Sequence, residues 1–264
     1  MTQRERRAYL IRALLLERGE DPEGAVPAEE GEQKRLLRAL MNVRPPRIAA
    51  GDFLEIQDAY LQAETAAKGV TDVGDLRPAE EGICLWRGDI TTLRCGAIVN
   101  AANSQMLGCF VPCHGCIDNA IHSAAGLQLR DACAEIMRTQ GHPEPAGRAK
   151  LTGGYNLPAR YVLHTVGPVV GRWVTWKDRR ELASCYRACL ELAAEHGLRS
   201  VAFCCISTGE FHFPNQEAAE IAVKTVREFL DRQAASIERV IFNVFKDLDR
   251  DIYRGLLGPN RAAV

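Results

Sequence analysis

From Gly82 onward, short β-branched or aromatic runs alternate with longer helical ones, and no other feature restricts the fold of this chain so strongly. "GICLW", "GAIVNAA", "YVLHTV", "SVAFCCIS" and "RVIFNVF" suit buried strands. Helical patterns lie between and after them: "IDNAIHSAAGLQLRDACAEIM" as one or two helices, "RRELASCYRACLELAAEHG" with a glycine at its end, "NQEAAEIAVKTVREFLDR" and "DLDRDIYRGLLG". The alternation predicts a three-layer α/β/α domain with a mixed, largely parallel sheet. Ligands of such open sheets sit beyond the carboxyl ends of the strands. The loops after "AIVNAA" and "AFCCIS" are therefore where chemistry is expected.

Residues 1–75 have a different texture. Leu10, Ile11, Leu14 and Leu15 repeat at helical spacing, and "DPEGAVP" interrupts them. "EEGEQKRLLRALMNV" predicts a second helix that stops before Pro45 and Pro46. "DFLEIQDAYLQAETAAKG" predicts a third, with Asp52 as N-cap and Gly69 at its C-terminal end. The expected organisation is a helical N-terminal extension over 1–75, packed on an α/β domain over 76–264. Its short helices need a partner for their apolar faces.

Charge and hydropathy exclude several function classes. A net charge of −1 gives no basic footprint for nucleic acid or a membrane surface. No run approaches the length of a membrane helix, and the basic, apolar start lacks a cleavage site, so a cytoplasmic protein is expected. There is no G-x-x-x-x-G-K-[ST] and no G-x-G-x-x-G behind a strand. Ten cysteines in a reducing compartment point to thiols or metal ligands rather than disulfides. Cys84, Cys95, Cys133, Cys185, Cys189, Cys204 and Cys205 lie on apolar patterns and read as small buried hydrophobes. Only Cys109, Cys113 and Cys116 cluster.

In "GCFVPCHGC" (108–116), Cys109, His114 and Cys116 offer two thiolates and an imidazole, a donor set suited to zinc. Three ligands would leave the open position of a catalytic zinc; Cys113 as a fourth would close the site. A structural zinc, or thiols without metal, fit the same spacing. Ser207, Thr208 and Gly209 in "STGEFHFPN" can present hydroxyls and N–H groups to a phosphate ahead of a helix, or form an ordinary polar turn. Asp89 in "RGDIT" can cap the following turn or accept from an adenine amine. Asn100 and Asn103 can bond local backbone or sugar hydroxyls. Asp118 can cap a helix or position a water or ribose hydroxyl. Among the histidines, His122 and His164 read as satisfied core residues, His142 and His196 as loop or helix-end positions, and His212 as a site-lining candidate.

Together "GDI" (88–90), "AIVNAAN" (97–103), "IDNAIHSAAG" (117–126), "AKLTGGYNLPARYVLHTVGP" (149–168) and "ISTGEFHFP" (206–214) resemble the macrodomain family of ADP-ribose binders and hydrolases. The resemblance implies a mixed six-stranded sheet flanked by helices. The cysteine-rich insert and the helical extension look like the zinc-dependent microbial branch, which is associated with removal of mono-ADP-ribose from proteins, often alongside sirtuin-type ADP-ribosyltransferases. It implies that Asp89 holds the adenine amine, Ile90 lies against the base, and Asn103 contacts the distal ribose. Ser207, Thr208, Gly209, Glu210, Phe211, His212 and Phe213 would embrace the diphosphate and distal ribose. Cys109, His114 and Cys116 would bind Zn2+, with Asp118 beside the scissile bond. The same pocket would serve a binding module that reads ADP-ribose without cleaving it, or hydrolysis of O-acetyl-ADP-ribose. His212 departs from the glycine found at its position in many macrodomains, and Cys113 adds a thiol to the metal loop.

Overall fold

A computed structural model describes residues 1–49, 51–233 and 236–258. Three helices come first: α1 (Gln3–Glu17), α2 (Glu30–Val43) and α3 (Phe53–Lys68). Thr2 and Glu5 close a capping box on α1, and the Glu29 carboxylate accepts from Gly31 N and Glu32 N at the start of α2. Asp52 occupies the N-cap position of α3, but its side chain makes no capping hydrogen bond. Leu10, Ile11, Leu14 and Leu15 meet Leu37, Leu40, Met41, Phe53, Tyr60 and Leu61 in a core of their own. Leu127 also belongs to that core, although it lies on a helix of the α/β part, so the two parts share packed surface.

The rest runs β1 (Thr71–Asp72), β2 (Pro78–Glu80), β3 (Ile83–Arg87), β4 (Leu93–Arg94), β5 (Ala97–Ala102), α4 (Ile117–Ala125), α5 (Leu127–Gln140), β6 (Ala149–Gly153), β7 (Tyr161–Val166), α6 (Trp176–Glu195), β8 (Ser200–Phe203), α7 (Asn215–Gln233), β9 (Arg239–Val244) and α8 (Asp247–Leu257). The main sheet has seven strands in the order β2-β3-β9-β8-β5-β7-β6. The resemblance implied six; the additional edge strand is β2, paired antiparallel to β3 through a register shift. The five central strands are mutually parallel, and β6 is antiparallel to β7 at the other edge. β1 and β4 form a separate parallel pair.

Ala97, Ile98, Val99, Val162, Leu163, Val201, Ala202, Phe203, Val240 and Ile241 are all fully buried, as a sheet covered on both faces requires. "SVAFCCIS" leaves the sheet after Phe203, earlier than its apolar composition suggests. The run after Ile117 is two helices. Gly126 separates them with φ +95, and a Cβ there would come within 2.6 Å of Gln57 Nε2. Six of the seven cysteines read as hydrophobes are buried, and Cys205 is half-buried.

Candidate active site

Because β3, β9, β8, β5 and β7 are parallel, their carboxyl ends share one edge of the sheet. The loops that leave that edge carry, in sheet order, Asp89 after β3, Phe245 after β9, Ser207–Phe213 after β8, and Asn103 with the cysteine loop after β5. Three strand spacings separate β3 from β5, about 14 Å at ~4.8 Å each. A ligand bridging all four loops must therefore be long.

At the β3 end, Asp89 caps its turn, one of the two roles that the sequence left open, and also forms an ion pair. Its Oδ1 caps the turn, accepting from Thr91 N at 3.0 Å and Thr91 Oγ1 at 2.6 Å. Its Oδ2 pairs with Lys68 Nζ at 3.1 Å, at the last residue of α3. Burial opposes the charge on Asp89, but the Thr91 hydrogen bonds and the Lys68 charge outweigh it and hold the carboxyl below the usual aspartate range. Ile90 is 2% exposed and its side chain belongs to the sheet core, not to a surface that a base could touch. Phe245, the last residue of the run "RVIFNVF" read as a buried strand, instead lies directly beyond β9 and is 76% exposed. Asn243 Nδ2 ties this corner together, donating to Gly88 O at 3.0 Å.

The loop after β8 is a closed turn. Phe213 N donates to Ser207 O at 2.9 Å, His212 N to Gly209 O at 3.1 Å, and Thr208 Oγ1 to Cys205 O at 3.0 Å. Ser207 (φ +63) and His212 (φ +57) both adopt the left-handed conformation. That is the conformation a glycine enters freely, so the histidine keeps the turn at a conformational cost. Ser207 Oγ is buried without a hydrogen-bond partner. Gly209, Glu210 and His212 are exposed, Thr208 and Phe211 half-buried. Phe213 differs from its expected role: it is 1% exposed and anchors the loop in the core.

Beyond β5, Asn103 bonds local backbone: Oδ1 accepts from Gln105 N at 2.9 Å, and Nδ2 donates to Gly108 O at 3.1 Å. Its Nδ2 also lies 3.5 Å from Asp118 Oδ2. Asp118 is not the helix cap. That position belongs to Cys116, whose Sγ accepts from Asn119 N. The Asp118 carboxylate is buried, and Asn100 Nδ2 donates to it at 2.8 Å. Burial pushes its pKa up to about 6, against the Asn100 hydrogen bond and the charge of Arg130.

Behind this pair, His164 is satisfied in the core: Thr152 Oγ1 lies 2.9 Å from its Nε2, and Asn100 Nδ2 lies 3.2 Å from its Nδ1. Burial lowers the His164 pKa to about 3. His122 is equally buried, but neither ring nitrogen has a hydrogen-bond partner; its Nε2 lies 3.5 Å from Asp118 Oδ1 in poor alignment. His122 thus departs from the satisfied core histidine that its sequence position suggests. Asn100 is the residue whose importance the sequence understated, since nothing local marks a strand asparagine whose partner comes from the next helix.

Cys109, His114 and Cys116 converge, with ligand atoms within 4.8 Å of one another. His114 Nδ1 is buried and unpartnered. Burial pushes the Cys116 thiol up to about 11, a state that a bound cation reverses by taking the thiolate. Two sulfurs and an orphaned imidazole nitrogen at this separation fit a tetrahedral zinc with little movement. Cys113 stands apart: its Sγ donates to Arg35 O at 3.3 Å, and it is not among the converging ligands. His114 Nε2 also approaches Glu210 Oε1 at 3.8 Å, linking the cysteine loop to the loop after β8.

A family model described as "Macro domain" matches residues 99–222. A protein-ADP-ribose hydrolase of Treponema medium is 52% identical over 97% of this chain and all of its own length. The chain belongs to the macrodomain family. A protein-ADP-ribose hydrolase of Staphylococcus aureus (strain MSSA476) is 49% identical over 93% of this macrodomain chain and 92% of its own. The crystal structure of a Trypanosoma brucei macrodomain in complex with ADP-ribose matches with a TM-score of 0.63 at 36% identity, covering 76% of this chain and 86% of that one. Among the described residues, no helix is long and apolar enough to cross a membrane.

Proposed function

We propose that this macrodomain is a zinc-dependent hydrolase that removes mono-ADP-ribose from modified proteins. The observation carrying the proposal is the meeting, at the end of β5, of a three-ligand cluster with the Asn103–Asp118 pair. The names of the Treponema and Staphylococcus relatives support the same reaction, and the ADP-ribose complex of the Trypanosoma macrodomain supports the ligand.

ADP-ribose would lie along the sheet edge in the order the loops impose. Asp89 would accept from the adenine amine and the exposed Phe245 would stack on the base. The loop Ser207–Phe213 would take the diphosphate, with Ser207 Oγ as a ready donor. The distal ribose would then reach Asn103 and Asp118. Cys109, His114 and Cys116 would hold Zn2+, which supplies a Lewis acid beside the scissile bond. Cleavage builds positive, oxocarbenium-like character at the anomeric carbon. The Asp118 carboxylate stabilises that charge and positions the attacking water. Asn100 fixes the orientation of Asp118, and Asn103 fixes the sugar. A transferase that attaches ADP-ribose to protein must supply the substrate.

The test is release of ADP-ribose from a mono-ADP-ribosylated protein, with and without a chelator, alongside calorimetry with free ADP-ribose. Release that stops on metal removal and returns with zinc is the expected result. Full activity in a metal-free preparation overturns the zinc dependence. Tight ADP-ribose binding without turnover makes the domain a reader, and a higher kcat/KM on O-acetyl-ADP-ribose makes it an esterase.

A further inference from the structure

The loop 109–116 has no regular structure of its own, yet it must hold three side chains in tetrahedral register. The bonds that shape it come largely from α2. Arg38 inserts its guanidinium between the loop and α4: Nη2 donates to His114 O at 3.0 Å and to Asn119 Oδ1 at 2.7 Å, and Nε donates to Asn119 Oδ1 at 3.1 Å. Asn119 is fully buried and turns its amide back into the loop, donating to Val111 O at 3.0 Å and Cys109 O at 3.5 Å. Its backbone N–H reaches Cys116 Sγ at 3.4 Å. One arginine and one asparagine thus touch the backbone or sulfur of all three candidate ligands.

One turn further along α2, Asn42 Oδ1 accepts from Cys113 N at 2.9 Å, and Cys113 returns its thiol to Arg35 O. Asn42 is 1% exposed, and its Nδ2 continues to Ser123 Oγ and so to Asn119 O. Arg130 closes the other side, donating to Leu107 O just before the loop and to the carbonyls of Met41, Asn42 and Arg44 at the end of α2. The extra thiol of Cys113 is thereby a latch onto α2.

We propose that α2 is a working part of the metal centre, with Arg38 as a positioning residue that, through Asn119 and the His114 carbonyl, presets the loop for zinc. The inference rests on the zinc reading above and adds that the helical unit governs metal affinity. Outer-shell partners of metal ligands are worth about 10–100-fold in affinity. A guanidinium fork serves two acceptors at fixed geometry, which an ammonium does not.

The experiment compares zinc dissociation constants of the full chain, measured by competition with a chromophoric chelator. It covers the wild type, Arg38→Met, Arg38→Lys and Gln57→Ala, with a Cys109→Ala/His114→Ala double variant as the metal-free reference. Gln57 docks α3 on the far side, its Oε1 accepting from Leu127 N at 2.9 Å, so Gln57→Ala loosens the helical unit without touching the loop. Arg38→Met should bind zinc about 10–100-fold more weakly, Arg38→Lys should recover part of that loss, and Gln57→Ala should match the wild type. ADP-ribose affinity should stay close to wild type in all three single variants. Wild-type zinc affinity in Arg38→Met overturns the inference, as does an equal loss in Gln57→Ala, which would reduce α2 to general docking. A wild type holding no more zinc than the double variant overturns the zinc reading itself, and this inference with it.

Discussion

Asn100 Nδ2 donates to Asp118 Oδ1 at 2.8 Å, joining the interior of a central strand to the first turn of the next helix. Both residues are buried, and the bond fixes the plane of the carboxylate beside Asn103 and the metal loop. Asn100→Ala removes a hydrogen bond to a charged group and frees that plane. Turnover should fall by one to two powers of ten, equivalent to about 1–3 kcal/mol, while ADP-ribose affinity changes little, because the proposed adenine and diphosphate contacts lie elsewhere. An equal rate in variant and wild type, measured by single-turnover release, would show that the reaction does not depend on Asn100 orienting Asp118.

The proposed metal loop separates candidate ligands from a bystander. Cys109→Ala, His114→Ala and Cys116→Ala should each lose zinc and turnover together, and wild-type turnover should vanish with a chelator and return with added zinc. Cys113→Ala should keep the metal, because its thiol already serves Arg35 O, away from the cluster. Zinc analysis of the purified variants checks this; complete metal loss in Cys113→Ala would falsify the open-site reading.

Sequence periodicity reached the central strands because β5, β7, β8 and β9 are buried on both faces and must be apolar throughout. It failed at the edges. "PAE" and "AKLTG" carry little apolar signal because β2 is largely solvent-facing and β6 only half-buried at the sheet edges, and pairing with their neighbours makes them strands. The cysteine cluster and the β8 loop were legible because unusual residues crowd a short stretch. Asn100 was legible as a polar candidate but its partner Asp118 was not, and Phe245 and Arg38 gave no signal, since each bonds far away in sequence or lies at the end of an ordinary-looking element. Ile90 and Phe213 erred the opposite way: they sit inside recognisable motifs, yet their side chains pack into the core.

The proposed adenine end permits a binding test that leaves the candidate metal ligands alone. Asp89→Ala should weaken ADP-ribose binding by tenfold or more, as loss of a hydrogen bond to a charged acceptor costs about 1–3 kcal/mol. Phe245→Ala should do the same through lost stacking, worth about 1–3 kcal/mol per base. Zinc content should not change in either variant. Calorimetry decides: unchanged dissociation constants would place the base away from the β3–β9 corner.

Acid should loosen the helical unit through Glu17. Its hydrogen bond with Arg44, reinforced by Arg47, overcomes partial burial and holds the carboxyl below the usual glutamate value. A depressed folded-state pKa means that the unfolded chain binds more protons, so the contribution is complete above the unfolded value of about 4.3 and is lost as pH falls through the folded one. Glu17→Gln should therefore melt below wild type at neutral pH, and the two thermal midpoints should converge under acid. Parallel midpoints across the whole range would show that the pair contributes nothing.

The turn proposed to take the diphosphate depends on a close approach between two loops. A Cβ on Gly167 would stand 2.0 Å from Ser207 Oγ and 2.8 Å from Ile206 Cγ2, so Gly167→Ala forces the Ser207 and Ile206 side chains, or the turn that carries them, to shift. Ser207 is already in the left-handed region, and Phe213 and Ile206 anchor its flanks in the core, which leaves the turn between them to move. Overpacking of this kind costs about 1–3 kcal/mol. Gly167→Ala should weaken ADP and ADP-ribose alike, because both present the same diphosphate, whereas Asp118→Ala should leave ADP affinity untouched. Side-by-side titrations with the two nucleotides are the measurement. A Gly167→Ala protein that binds ADP as tightly as the wild type would mean that the diphosphate does not lie in the turn from Ser207 to Phe213.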